Sequence, residues 1–128
     1  MKSFRMLTTL VVLSLITGCN TMISRQEREN AQYSPLPNDY QARIKDFMEG
    51  RLKDPYSAVY RFDTPRKGYW QNGLLYGGQK HFGFIVPVGI NGKNSYGGYT
   101  GEQQFYFGLE SGQVFDLTGA WGSMAGFY

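Results

Sequence analysis

The stretch Phe82-Gly83-Phe84-Ile85-Val86-Pro87-Val88-Gly89-Ile90 decides the fold of this chain. Its even-numbered residues are all apolar, and this period of two predicts a β-strand whose even-numbered side chains face a core. Pro87 lies on the opposite face and cannot donate a backbone hydrogen bond to a neighbouring strand. The sequence therefore predicts that this strand lies at a sheet edge or is bulged at Pro87.

The segment before this strand carries the clearest helical pattern. Its apolar residues recur at helical spacing and share one face: Tyr40, Ile44, Phe47, Met48 and Leu52. Asn38 and Gln41 have the spacing of a capping box, and Asp39 adds negative charge to the first turn. Pro55 pushes the residue before it out of the α conformation, so the helix must end ahead of it. We therefore predict a helix over residues 39–53.

Alternating polarity and flanking turns predict the other strands. These strands cover residues 58–62, 69–71, 74–76, 103–109 and 113–117. Asn72-Gly73 is typical of a tight hairpin, Ser111-Gly112 of a second one, and the tail from Thr118 to Tyr128 shows no regular period. The sequence predicts an α+β fold, with one N-terminal amphipathic helix packed on an antiparallel β-meander of about four to five strands.

A secretory leader precedes these elements. Two basic residues, Lys2 and Arg5, are followed by a mostly apolar run over residues 6–16, which is shorter than the roughly 20 residues of a membrane-spanning helix. Leu15-Ile16-Thr17-Gly18-Cys19 ends the leader and resembles the lipobox of bacterial lipoproteins. The resemblance implies a diacylglyceryl group on the Cys19 sulfur, cleavage between Gly18 and Cys19, and acylation of the new amine. An uncleaved signal anchor and a chance cysteine are the alternatives.

The lipoprotein resemblance also implies a location. Asn20 follows Cys19, whereas an Asp there usually marks inner-membrane retention in Gram-negative lipoproteins. We therefore expect lipid anchoring at the cell outer membrane, facing the periplasm. The expected organisation is a cleaved signal peptide (1–18), a lipidated N-terminus with a flexible tether (19–37), and one small α+β domain (38–128).

Composition limits the chemistry of the mature chain. Cys19 is the only cysteine, so its lipidation leaves no thiol for a disulfide, a zinc site or a nucleophile. Removal of the leader takes two of the 13 basic residues and leaves 11 against 10 acidic ones. No cluster of Lys and Arg remains that suits a phosphate backbone. The sequence predicts no cofactor and no nucleic-acid partner.

The most unusual segment is the glycine- and tyrosine-rich stretch from Asn91 to Gly101. A loop of this length between two strands is long, and long loops are often functional. The candidate partner-binding residues combine amide, hydroxyl and aromatic groups: Asn94, Ser95, Tyr96, Tyr99 and Thr100. The alternative is an ordered turn whose glycines take positive φ values and whose tyrosines pack back on the sheet.

No catalytic constellation stands out in the sequence. His81 is the only histidine, and its place before a strand predicts a surface or capping residue. Five acidic residues offer carboxylates for glycan cleavage, although no spacing selects one pair: Asp54, Asp63, Glu102, Glu110 and Asp116. We therefore expect a structural or protein-interaction role without catalysis. The alternative is a periplasmic protein that acts on or binds a glycan or peptidoglycan.

Two segments carry a second resemblance. Leu52-Lys53-Asp54-Pro55-Tyr56-Ser57-Ala58-Val59-Tyr60-Arg61-Phe62, together with residues 91–101, resembles a group of small bacterial envelope proteins. Those proteins pair a helix ending in Leu-Lys-Asp-Pro-x-Ser-Ala with a loop similar to Asn-Ser-Tyr-Gly-Gly-Tyr-Thr-Gly. The resemblance covers residues 40–117. It bears on the fold and not on an activity, since it supplies no catalytic residues.

Overall fold

The structure is a computed structural model and describes residues 22–128. An antiparallel sheet of six strands forms most of it. The strands are β1 (Val59–Phe62), β2 (Arg66–Gln71), β3 (Lys80–Lys93), β4 (Tyr99–Glu110), β5 (Gln113–Asp116) and β6 (Ala125–Phe127). The two α-helices are α1 (Arg25–Asn30) and α2 (Tyr40–Glu49). Short 3-10 turns occupy Pro55–Ser57, Leu74–Tyr76 and Thr118–Ala120.

Strand β3 is the centre of the sheet. β4 pairs with one side of β3, while β2 and β1 share the other side, at residues 80–85 and 88–91 respectively. β5 extends the sheet beyond β4, and β6 returns from the end of the chain to pair with β2. The resulting order is β5-β4-β3-β2-β6, with β1 placed beside β3.

Pro87 lies inside this central strand, at the junction between β1 and β2. Its carbonyl oxygen accepts a 2.9 Å hydrogen bond from the backbone N–H of Asp63, which belongs to the turn joining those strands. In an extended residue the backbone N and C=O point to the same side of the strand. The Pro87 nitrogen, which carries no hydrogen, therefore faces the gap between β1 and β2. The prediction of an edge or bulged strand at Pro87 is therefore wrong.

Both faces of the sheet are covered. On one face, Ile44 and Met48 of α2 pack in a cluster with residues of β3 and β4: Val86, Val88, Ile90, Phe107 and Leu109. On the other face, Trp70 is covered by residues of the C-terminal segment, which include Leu117 and Ala125. Burial of apolar surface stabilises each face by about 25 cal/mol per Å². The sheet is thus the middle layer between α2 and the C-terminal segment.

Residues 22–37 pack on the sheet, whereas a flexible tether was expected over residues 19–37. Ser24 and Glu27 form a capping box that begins α1. Arg28 then donates a 2.7 Å hydrogen bond to the hydroxyl of Tyr69 in β2. Farther along, the backbone N–H of Ser34 donates to the carbonyl of Phe82 at 3.1 Å. These contacts hold the segment against the same face that α2 covers.

The predicted fold class is wrong. It placed one N-terminal amphipathic helix on a meander of about four to five strands, whereas the described chain is mostly six-stranded sheet. The helix is only ten residues long, because it ends at Glu49, followed by Gly50 as its C-cap, instead of at residue 53. Its expected capping box is replaced by a salt bridge in which Asp39 binds Arg43. The pairing of β6 with β2 also departs from a meander.

The tight hairpin predicted at Asn72-Gly73 is wrong as well. Trp70 pairs with His81 across β2 and β3, which sets a register that leaves residues 72–79 outside the ladder. Burial of Trp70, which is 1% exposed, stabilises this register. Residues 74–76, predicted as a strand, form a 3-10 turn instead.

Candidate functional site

Residues 91–101, predicted as a long loop, form the ordered end of the hairpin between β3 and β4. We call these residues the hairpin end. β3 continues to Lys93 and β4 begins at Tyr99, so only five residues form the turn. The Oδ1 atom of Asn94 accepts hydrogen bonds from the backbone N–H groups of Tyr96 (2.9 Å) and Gly98 (3.1 Å). Gly97 has a φ of 79°, a conformation that glycine adopts without strain. The polar side chain of Asn94 therefore orders the turn.

The tyrosines of the hairpin end do not pack back on the sheet. Tyr96 is 96% exposed and Tyr99 is 50% exposed. The hydroxyl of Tyr99 donates a 3.0 Å hydrogen bond to the carbonyl of Ser57, and the Lys93 ammonium lies 5.2 Å from the Tyr99 ring centroid. Tyr56, next to Ser57, is 90% exposed at the same end of the molecule. The structure thus presents three tyrosine rings to solvent on an ordered frame.

The hairpin end is joined to the segment that follows α2. The Nζ atom of Lys53 donates a 2.8 Å hydrogen bond to the Oγ atom of Ser95, and the Tyr99–Ser57 bond forms a second link. Thr100, the last of the five candidate residues, donates to the carbonyl of Gly92. The two segments that carry the resemblance to envelope proteins therefore contact each other.

A groove of about 250 Å³ lies between these two segments. Its charged lining residues are all cationic: Arg51, Lys53 and Lys93. Within residues 22–128, none of the three forms an ion pair. Arg51 is held in place because its guanidinium stacks on the Phe47 ring, 3.7 Å from the centroid. The charged lining of the groove therefore favours an acidic ligand group.

The sequence indicated Tyr96 and Tyr99 but gave no sign of Tyr56 or of these cations as parts of a site. Arg51 and Lys53 follow α2, and they meet Lys93 only through the packing of α2 on the sheet. Their spacing in the sequence carries no signal of this meeting, because 42 positions separate Lys53 from its partner Ser95.

Four of the five acidic candidates use their carboxylates in other contacts, and the exception is Asp54, which precedes the 3-10 turn at Pro55–Ser57. Glu102 and Asp63 both bind the guanidinium of Arg61, at 2.8 Å and 2.5 Å. The Arg61 hydrogen bond lowers the pKa of Glu102, whereas the general acid of a glycosidase needs a raised pKa. Of the other candidates, Asp116 accepts a hydrogen bond from the N–H of Thr118. These carboxylates stabilise charge pairs and turns.

His81 is largely buried, so its prediction as a surface or capping residue is wrong. Its ring stacks on Trp70 at an interplanar angle of 11°, and its centroid lies 5.0 Å from that of Phe115. The Nδ1 atom lies 2.5 Å from an oxygen of Glu110, whose other oxygen accepts from the N–H of Phe82. This pair joins the end of β4 to β3 and serves the fold.

The other site predictions concern metals and membranes. Among the residues from 22 to 128, no group of three or more His, Cys, Asp or Glu side chains is arranged to hold a metal ion. The same part of the chain contains no helix long and apolar enough to span a bilayer. The predicted signal peptide, with its cleavage site at Gly18 and Cys19, lies outside the described residues.

The chain matches no known protein family, and no curated protein or solved structure is significantly similar to it. Its function is therefore inferred from the lipobox-like segment and from the geometry of the hairpin end.

Proposed function

We propose that this protein is a lipid-anchored envelope protein that binds a partner protein through its hairpin end. Lipid on Cys19 would hold it at the outer membrane, facing the periplasm, and we propose no catalytic role. One observation carries the binding proposal. Tyr96 and Tyr99 are exposed on an ordered frame, next to a groove whose cations lack ion-pair partners in the described chain. Tyr56 is also exposed and precedes Ser57, whose carbonyl binds Tyr99.

The physical argument concerns the cost of binding. Tyrosine and arginine are enriched in protein interfaces, because their rigid groups bury a large area with little loss of side-chain freedom. Asn94 already orders the turn that carries Tyr96, so binding would need little further ordering of the backbone. The three cations of the groove favour a partner surface with acidic side chains.

Peptidoglycan is the alternative ligand. The groove also contains amide and hydroxyl groups that can bind a saccharide or a peptide stem, at Asn94, Thr100 and Gln103. The pKa of Glu102, lowered by its hydrogen bond to Arg61, supports binding over cleavage in this case.

Crosslinking with a membrane-permeable reagent, followed by pull-down of the tagged lipoprotein, tests the proposal. We expect one or more envelope proteins to be recovered reproducibly. Changing Tyr96→Ala and Tyr99→Ala together should lower recovery by about tenfold or more, because central interface tyrosines each contribute over 1 kcal/mol. Thermal unfolding should show that the double variant remains folded.

Tyr128→Ala is the matched control. Tyr128 is 59% exposed and follows β6, whose partner β2 pairs with the end of β3 opposite to the hairpin end. We expect it to retain the partner. The absence of a reproducible partner, or equal recovery with both variants, would contradict the proposal. Sedimentation with purified peptidoglycan sacculi that depends on Tyr96 and Tyr99 would instead identify the alternative ligand.

A further inference from the structure

The loop between β2 and β3 carries three exposed, mainly apolar side chains, those of Leu74, Leu75 and Tyr76. We call these three residues the apolar tip. Their side chains are 69%, 96% and 82% exposed. Large apolar residues on the surface of a soluble protein usually occur singly, and larger apolar patches mark interaction sites. Residues 72–78 contain no charged side chain, so no charge would be desolvated if this loop entered an apolar medium.

The base of this loop is ordered. The backbone N–H of Asn72 donates a 2.9 Å hydrogen bond to the carbonyl of Gln79, and their side chains form a second bond at 3.1 Å. Gly77 and Gly78 have φ values of 94° and 61°, which reverse the chain direction at little cost. The apolar tip is therefore held away from the sheet by a closed loop.

The N-terminal segment meets the sheet beside this loop. The carboxylate of Glu27 in α1 forms a salt bridge with Lys80, the first residue of β3. Ile23 is four positions before Glu27 and is buried, with 8% exposure. Cys19 is four positions earlier again, so at about 3.5 Å per residue its Cα lies at most about 14 Å from that of Ile23.

The short segment between Cys19 and the sheet determines which end of the protein faces the membrane. β3 contains 14 residues and spans roughly 45 Å at about 3.3 Å per residue. Glu27 is bound at the first residue of β3, so the eight residues back to Cys19 span at most about 28 Å; they cannot carry its Cα to the hairpin end but can carry it to the level of the apolar tip. We propose that Leu74, Leu75 and Tyr76 insert into the lipid bilayer that holds Cys19. This inference rests on the proposed lipidation of Cys19.

The chemistry of the apolar tip suits a bilayer surface. Leucine side chains favour the hydrocarbon region, while tyrosine favours the boundary with the headgroups. Insertion would supply a second membrane contact besides the acyl chains. It would point the hairpin end away from the membrane, so that Tyr96 and Tyr99 face the periplasm.

A fluorescent probe on the apolar tip tests the insertion. In the mature lipoprotein, Leu75→Cys adds a thiol that is free for labelling with an environment-sensitive dye such as NBD. The purified lipoprotein is reconstituted in phosphatidylethanolamine–phosphatidylglycerol vesicles with doxyl-labelled lipids as quenchers. We expect a blue-shifted emission that loses most of its intensity to the quencher. The control is the same probe on Tyr96→Cys, which we expect to stay in water and to be quenched little.

Flotation with vesicles and the mass of the mature chain report the anchor independently of the probe. If the chain carries lipid and floats, but the probe at position 75 is quenched no more than the probe at position 96, insertion is overturned while the anchor stands. Strong quenching at both positions also overturns it, because the domain would then lie flat. A chain that has no lipid mass and does not float refutes the anchor, and the inference with it.

Discussion

Glu27 and Lys80 form a salt bridge that ties α1 to the first residue of β3. It involves a segment expected to be a tether, and it places the N-terminal part of the described chain at one end of the sheet. Glu27 also accepts a hydrogen bond from the backbone N–H of Ser24 within the capping box. One carboxylate therefore both begins α1 and docks it.

The first prediction concerns pH. The hydrogen bond to Lys80, followed by the bonds to Ser24, lowers the pKa of Glu27 from 4.5 to about 2. A carboxyl group whose pKa is lowered by folding stabilises the folded state above its unfolded pKa, and this contribution disappears as the pH falls through the folded pKa. We therefore expect the wild-type chain to have a higher free energy of unfolding than Glu27→Gln above pH 4.5. This difference should shrink as the pH falls from 4.5 to about 2.

Urea unfolding of both chains at about pH 6 and about pH 2 measures this difference. Other carboxyl groups also titrate in this range, so the relevant quantity is wild type minus variant at each pH. A difference that is the same at both pH values would contradict the prediction.

The second prediction concerns the close approach of Gly108 to Trp70. A Cβ at position 108 would lie 2.9 Å from two ring carbons of Trp70 and from Cδ1 of Leu117. Because these side chains are packed in the core, we expect Gly108→Ala to lower the free energy of unfolding by about 1–3 kcal/mol. Urea denaturation measures the loss.

Gly119→Ala is the control for this substitution. A Cβ at Gly119 would meet no atom within 4 Å, so its effect should stay within about 0.5 kcal/mol. Equal destabilisation by the two changes would show that the Trp70 contact is not the cause.

The third prediction concerns the order of the hairpin end. Asn94→Ala removes the acceptor for the N–H groups of Tyr96 and Gly98. One hydrogen bond contributes about 1 kcal/mol, so we expect amide exchange at these two positions to accelerate by about fivefold. Asn94→Asp retains an acceptor oxygen and should change exchange less. Unaltered exchange in the alanine variant would mean that Asn94 does not order the turn.

The fourth prediction concerns the anchor. Cys19→Ser should abolish metabolic labelling with palmitate and leave an unprocessed precursor, because the proposed diacylglyceryl group would be attached through the cysteine sulfur. Asn20→Asp is the control, which should keep the label but shift the protein toward the inner membrane. Labelling that persists in Cys19→Ser would refute the lipid anchor.

Local patterns in the sequence predicted several elements at nearly their observed positions. The apolar stripe of residues 40–52 contains α2, and the alternation of residues 82–90 lies within β3. α1 was missed, although Ser24 and Glu27 have the spacing of the capping box that they form. That spacing is a local signal that predicts the start of a helix.

For the candidate site, the sequence indicated the hairpin tyrosines but could not decide between a recognition loop and an ordered turn. The structure combines features of both, because the turn is ordered and the tyrosines are exposed. Exposure depends on what packs nearby. Nothing in the order of residues says whether a tyrosine has a neighbour to cover it.

The sequence by itself determined the local preferences of the chain: the alternation around Pro87, the helical stripe of α2, the turn residues and the lipobox-like segment ending at Cys19. Only the tertiary structure decided the long-range partners, such as β6 with β2 and Glu27 with Lys80. The reason is physical. Periodicity and turn chemistry act over a few residues, whereas contacts between distant segments depend on the shape of the whole core and on the entropy of closing the loops between them.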